Sequence, residues 1–202
     1  MDAALPFASE RTEAPSKGAL MKSLTIAALL AASVVLSAQE TRRVVTHAAA
    51  NPADDRRPNS DAVPAVQAID AHISRIVILR FKYNTDLLAG LKDAIREHKI
   101  RNAVILSGFG SVRNYQVHQV ENRDLPPKDL MVKNPTAPAD ILSMSGIVMN
   151  GRVHPHITLA TADRAFGGHL EPDTTVFTFA VVTLGVLDDS LDLSRLDDWN
   201  DR

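Results

Sequence analysis

The sequence predicts an α+β domain: a mostly antiparallel sheet with at least one covering helix. Three observations carry this. Short apolar runs rich in β-branched residues recur along the chain. A stretch after residue 85 places its apolar residues at helical spacing. Asn150-Gly151 separates two strand-like runs, a strong two-residue hairpin signal.

The elements follow in order from His72. Ile76-Val77-Ile78-Leu79-Arg80-Phe81 is an apolar run of strand length. Thr85 or Asn84 can cap a helix that begins at Asp86, with Leu87, Leu88, Leu91, Ala94 and Ile95 on one face. His98-Lys99 suit its C-terminal end, where positive charge is favourable. Ala103 to Leu106 is a second strand, interrupted by Ser107-Gly108-Phe109-Gly110-Ser111 and resumed from Val112 to Val120. Asn122 to Pro138 contains several prolines and charges and reads as a long loop. Ala139 to Met149 reads as a strand bent at Gly146, and His154 to Ala160 as its return partner. Thr174 to Leu187 is the last core strand.

The flanks differ. From Met21, Lys22 precedes an uncharged apolar run, Leu24 to Leu36, and then Ser37-Ala38. Positive residue, short apolar run and small residues in that order define a secretory signal peptide. The run is too short to span a bilayer, which takes about 20 residues. The expected division is 1–20 a non-translated or disordered extension, 21–38 a signal peptide, 39–71 a disordered linker, 72–187 the folded domain and 188–202 an acidic, solvated tail. Export places the mature chain in the periplasm or outside the cell, without a stable membrane anchor.

Net charge is −2 and there is no cysteine among 202 residues. Disulfides and thiolate ligands are excluded, and nothing attracts the chain globally to nucleic acid. Three of seven histidines fall between 154 and 169. On a strand, His154 and His156 share a face, and His169 returns after a turn. Three imidazoles can surround zinc, copper, iron or nickel and leave a coordination position open. The same spacing also suits two half-exposed strand residues. Gly167-Gly168 reads as a tight positive-φ turn, a place of close backbone approach, or a hairpin turn.

Ser107 to Ser111 lacks the lysine and the strand-to-helix setting of a phosphate loop, so it reads as a turn or bulge that shapes a site wall. Arg113 is a candidate for holding an anionic ligand, or else a surface residue. Glu121 and Asp163 are candidate fourth ligands or bases. His72, His98 and His118 read as structural or exposed.

This order of phrases resembles the PPC ("plants and prokaryotes conserved") domain over roughly residues 73–187. The resemblance rests on Ile76 to Arg80 with Leu87 to Leu91, on Ala103 to Asn114, on Ile141 to Gly146, and on the two histidine motifs His154 to Ala160 and Gly167 to Leu170. It implies a trimer-forming α/β sandwich-like domain, with a bound metal, usually Zn(2+), held by His154, His156 and His169. Plant members join the domain to AT-hooks and act on DNA. This chain has no Arg-Gly-Arg-Pro hook. Phe179-Ala180-Val181 also stands where many relatives place a glutamate, so a base or supporting carboxylate is expected to be missing.

The expected function is an exported metal-binding domain that takes an unidentified small molecule at a three-histidine site and associates with itself as a homotrimer. Gly167, Gly168 and Arg113 would border the ligand. A metal-dependent hydrolase or lyase is the alternative reading, followed by a DNA-binding protein of the plant type. Nucleic acid is not the expected partner.

Overall fold

The computed structural model describes residues 39–45, 56 and 58–196. The expected signal peptide (21–38) and the expected extension before it lie outside the described residues. Among those described, no helix is long and apolar enough to cross a membrane.

Among the described residues, eight strands and one α-helix make the domain: β1 (Glu40–Val45), β2 (Ile73–Lys82), α1 (Leu87–Glu97), β3 (Ala103–Val120), β4 (Lys128–Asn134), β5 (Ala139–Met149), β6 (Arg152–Ala160), β7 (Ala165–Leu170) and β8 (Thr175–Leu187), with a 3-10 turn at Ser194–Leu196. The sheet is antiparallel throughout. Its backbone order is β1-β4-β3-β5-β6-β7, and β7 pairs again with β3. Strands β3, β5, β6 and β7 therefore form a closed circuit. β8 lies between β2 and the first part of β3.

The helix forms where the apolar spacing put it. Leu87, Leu88, Leu91 and Ile95 are buried, each contributing about 1.5–3 kcal/mol by transfer from water. The cap differs from expectation. It is Asp86, whose Oδ1 accepts from the Ala89 N–H at 2.8 Å and whose Oδ2 accepts from the Asp173 N–H at 2.7 Å. A carboxylate serves both donors at once and ties the helix to the β7–β8 connection. Asn84 instead turns the chain, with φ of 65°.

Four further expectations are corrected. Part of the expected linker forms β1, which pairs with β4. The expected loop 122–138 contains β4. Its prolines lie outside the strand, where no ladder donor is lost, and Val132 and Asn134 alternate inward. Ser107 to Ser111 does not interrupt β3. It is strand interior with shifted register against β8, and at Gly110 (φ 142°) a Cβ would overlap the Phe179 carbonyl. The acidic tail is not wholly solvated, because Leu193 is buried with Met149 and Leu187.

The turn signal is met as expected: Asn150 and Gly151 both have positive φ, 51° and 77°, as a type I′ hairpin requires. Behind it sits Asn102, fully buried. Its Nδ2 donates to the carbonyls of Asp188 (3.1 Å) and Leu191 (2.9 Å), and its Oδ1 accepts from the Asn150 N–H (3.3 Å). One side chain thus fastens the hairpin and the C-terminal segment to β3. Asn102→Ala leaves these partly buried backbone groups without their side-chain partners. It is expected to cost about 2–4 kcal/mol, read as a lowered urea midpoint at unchanged slope. A midpoint like that of the parent would show that the three bonds contribute nothing net.

Candidate metal centre

Register brings the histidines together. His156 of β6 stands opposite His169 of β7, and His169 stands opposite His118 of β3. Directly paired residues of an antiparallel ladder share a face. Three imidazoles therefore form one row across three neighbouring strands. His154 joins this face two residues before His156, and Glu171 joins it two residues after His169. The Glu171 N–H donates to the Gln116 carbonyl, which extends the β3–β7 ladder past the end of β7. The alternate residues Val117, Pro155, Ile157 and Leu170 are buried on the opposite face.

Gly167 and Gly168 make this row possible. Neither has positive φ, so the positive-φ turn reading is corrected. Both lie inside β7. A Cβ on Gly167 would overlap the Ile157 carbonyl oxygen, and one on Gly168 the His118 carbonyl oxygen. They are glycines because β7 is wedged between two backbones, the close-approach alternative.

The rings are in mutual contact. His118 and His169 stack at 4.7 Å between centroids, and His154 and His156 stack at 5.3 Å. His169 stands edge-on to His154 at 4.8 Å and to His156 at 5.6 Å. The Nε2 atoms of His154 and His156 face one another at 3.2 Å. Partial burial, and then the neighbouring imidazoles of His154, His169 and His118, hold His156 below the ordinary histidine value. It is thereby kept neutral, the form that ligates metals.

The other end of the row is acidic. The His118 Nδ1 faces Glu171 Oε1 at 2.5 Å, and its Nε2 lies 3.9 Å from Asp129 Oδ2 on β4. Burial alone would push Glu171 up, but its contacts with His118 and His169 outweigh it and hold the carboxyl at about 2. The hydrogen bond to Glu171 raises His118 against the opposing effect of its own burial. His169 Nδ1 lies 3.5 Å from Glu171 Oε1, too far for a good hydrogen bond, and is a buried polar atom without one. His118, His169 and Glu171 each offer a ligand atom within 4.8 Å of the others, a group that can hold a metal ion.

Two members of this cluster were not foreseen. His118 is neither isolated nor merely exposed. Glu171 supplies the carboxylate that was expected to be missing at Phe179-Ala180-Val181. The spacing His169-x-Glu171 was the available signal, since residues two apart on a strand share a face.

Other candidates go elsewhere. Arg113 donates to Tyr83 Oη at 2.8 Å and to Asn84 Oδ1 at 3.3 Å, at the β2–α1 corner. Glu121 pairs with Arg43. Asp163 accepts from Thr161 in the exposed β6–β7 turn, which draws its carboxyl down.

The family model described as Plants and Prokaryotes Conserved (PCC) domain matches residues 69–188. The bifunctional protein GlmU of Synechococcus sp. is 28% identical over 137 residues, 67% of this chain and 20% of that protein. The chain thus spans about a fifth of that curated relative's length. Among solved structures, a plant- and prokaryote-conserved protein of Pyrococcus horikoshii superposes with TM-score 0.51 at 19% identity, covering 63% of this chain and 89% of that one. A metal-containing protein of Archaeoglobus fulgidus gives TM-score 0.49 at 26% identity, over 60% and 86%.

Gly168→Ala tests the wedge directly. The new Cβ meets backbone, which cannot rotate away, so a loss of about 2–4 kcal/mol is expected in denaturant unfolding. Unchanged stability would mean that β7 is not held against β3 as described.

Proposed function

The chain belongs to the Plants and Prokaryotes Conserved (PCC) domain family, and from that premise we propose that it is an exported metal-binding domain that assembles as a homotrimer and receives a small ligand at its histidine cluster. The metal in this reading is zinc, held by His154, His156 and His169.

One observation carries the choice of ligands. The Nε2 atoms of His154 and His156 face each other at 3.2 Å. Two imidazole nitrogens on a tetrahedral zinc, each at 2.0–2.1 Å, stand about 3.3 Å apart. Without a cation or a proton between them, two lone pairs would oppose one another. The buried Nδ1 of His169, which lacks a hydrogen bond, supports a third position in the same cluster. Glu171 then acts on the far side of the row. It accepts from His118, which stacks on His169, and so fixes the ring beside the proposed ligand. When bound, zinc supplies a Lewis acid with one position open to a ligand.

A binding role ranks above hydrolysis because of Glu171. Engaged by His118 and held at about 2, it is a weak proton acceptor. The net charge of −2 and the absence of a hook argue against a DNA role.

Metal content of the purified chain after dialysis against a weak chelator is the test. The parent is expected to keep about one zinc per chain and His156→Ala to lose it, whereas Glu171→Gln weakens binding by about 10–100-fold. If His156→Ala keeps its metal while His118→Ala and Glu171→Gln lose theirs, the ion belongs to the His118–His169–Glu171 group and the ligand assignment fails.

Self-association is supported by an apolar face. Strands β2, β8 and β3 are neighbours, and Ile76, Ile78, Leu106, Phe109, Phe177 and Phe179 on them are 38–69% exposed. Contiguous apolar surface of this kind marks an interface. Sedimentation equilibrium is expected to give three times the monomer mass, and Ile78→Asp with Phe179→Asp to shift it to one. A parent that is monomeric at micromolar concentration would overturn the trimer.

A further inference from the structure

On the far side of His154 from the acidic end, the surface opens into a cavity of about 850 Å³. It lies between the end of α1, the segment that leads into β3 and the β5–β6 hairpin. Lys92, Arg96, Lys99, Arg101 and Arg152 line it, no carboxylate among the described residues does so, and Ile95, Ile100 and Met149 form an apolar floor. These cations come from three separate parts of the chain. The partial negative charge at the end of α1 accounts for Arg96 and Lys99 at most. It does not account for Arg101, which is held in place with its Nε donating to Asn150 Oδ1 at 3.1 Å. Asp93 pairs with Arg96 at 2.8 Å. The volume suits a small organic molecule. In a chain whose net charge is −2, five cations around one concave apolar floor form a local field opposite to that of the whole.

We propose that this cavity binds a small organic anion with two or more acidic oxygen groups, phosphate or carboxylate, whose apolar body lies on Ile95, Ile100 and Met149. His154 also lines the cavity, so the anion extends toward the histidine row. The inference deepens the small-ligand reading and rests on it only in that last respect. The site is concave with an apolar floor. A nucleic-acid duplex, rigid and broad, needs an extended basic surface instead.

Calorimetric titration of the full chain with pyrophosphate, and separately with benzene-1,3,5-tricarboxylate, tests the proposal. At least one probe is expected to bind, and the stronger identifies phosphate or carboxylate as the preferred group. The double variant Arg96→Gln with Arg152→Gln is expected to lose about tenfold or more in affinity, as removal of charge-assisted hydrogen bonds implies. Arg113→Gln, outside the cavity, should bind like the parent. The substituted arginines are exposed, and thermal melts matching the parent would confirm that the variants are folded. His156 does not line the cavity, so His156→Ala should keep anion binding whatever its metal content. Failure of the metal reading therefore leaves this proposal standing. No binding of either probe, or equal binding by the double variant, would overturn the proposal and leave the metal reading untouched. Tighter binding of a short DNA duplex than of either probe, lost in the same double variant, would assign the cavity to nucleic acid and also overturn it.

Discussion

The candidate site depends on one steric constraint: β7 lies so close to β6 and β3 that two successive residues can carry no side chain. A Cβ at Gly167 would collide with the Ile157 carbonyl and one at Gly168 with that of His118. The wedge closes the circuit β3-β5-β6-β7 and sets both registers at His169 at once. Because side chains on a strand alternate, a slip of one residue would send His169 and Glu171 to the core face and Leu170 to the site. Burial of Val117, Ile157 and Leu170 opposes that slip. The apolar core on one side of these strands therefore enforces the polar row on the other.

The row is electrically graded. At the His118 end, Glu171 and Asp129 stabilise positive charge on an imidazole. At the His156 end, imidazoles crowd one another and the charged form is disfavoured. Beyond His154 lie the cations of the proposed anion cavity. The row thus passes from carboxylates through histidines toward cations supplied by α1, the segment leading into β3 and the β5–β6 hairpin. His169 stands in the middle and touches both ends, which is why it belongs to either set of candidate metal ligands.

A second division runs through β2, β8 and the first half of β3. The apolar face of α1 packs against the core, where Leu79 and Phe81 of β2 are also buried. The other face of these strands leaves isoleucine and phenylalanine in water. Among the described residues no element covers this face, and exposed apolar surface of this kind favours association. The proposed trimer covers it.

The sequence by itself determined the elements with local causes. Period and composition set α1, β2, β5, β6 and β8. Asn150-Gly151 set the hairpin because only residues tolerant of positive φ close a type I′ turn. The pair His154 and His156 was legible because a strand repeats every two residues. Tertiary structure alone decided the rest. β4 hid among prolines because its inward pattern is only a few residues long. Asp86 displaced its neighbours as the helix cap because it also reaches Asp173, far along the chain. His118 lies 51 residues before His169, and nothing local to either announces that they are paired. Local sequence encodes which face a side chain takes. Which strands become neighbours, and therefore which faces are combined into one site, follows from packing the whole chain.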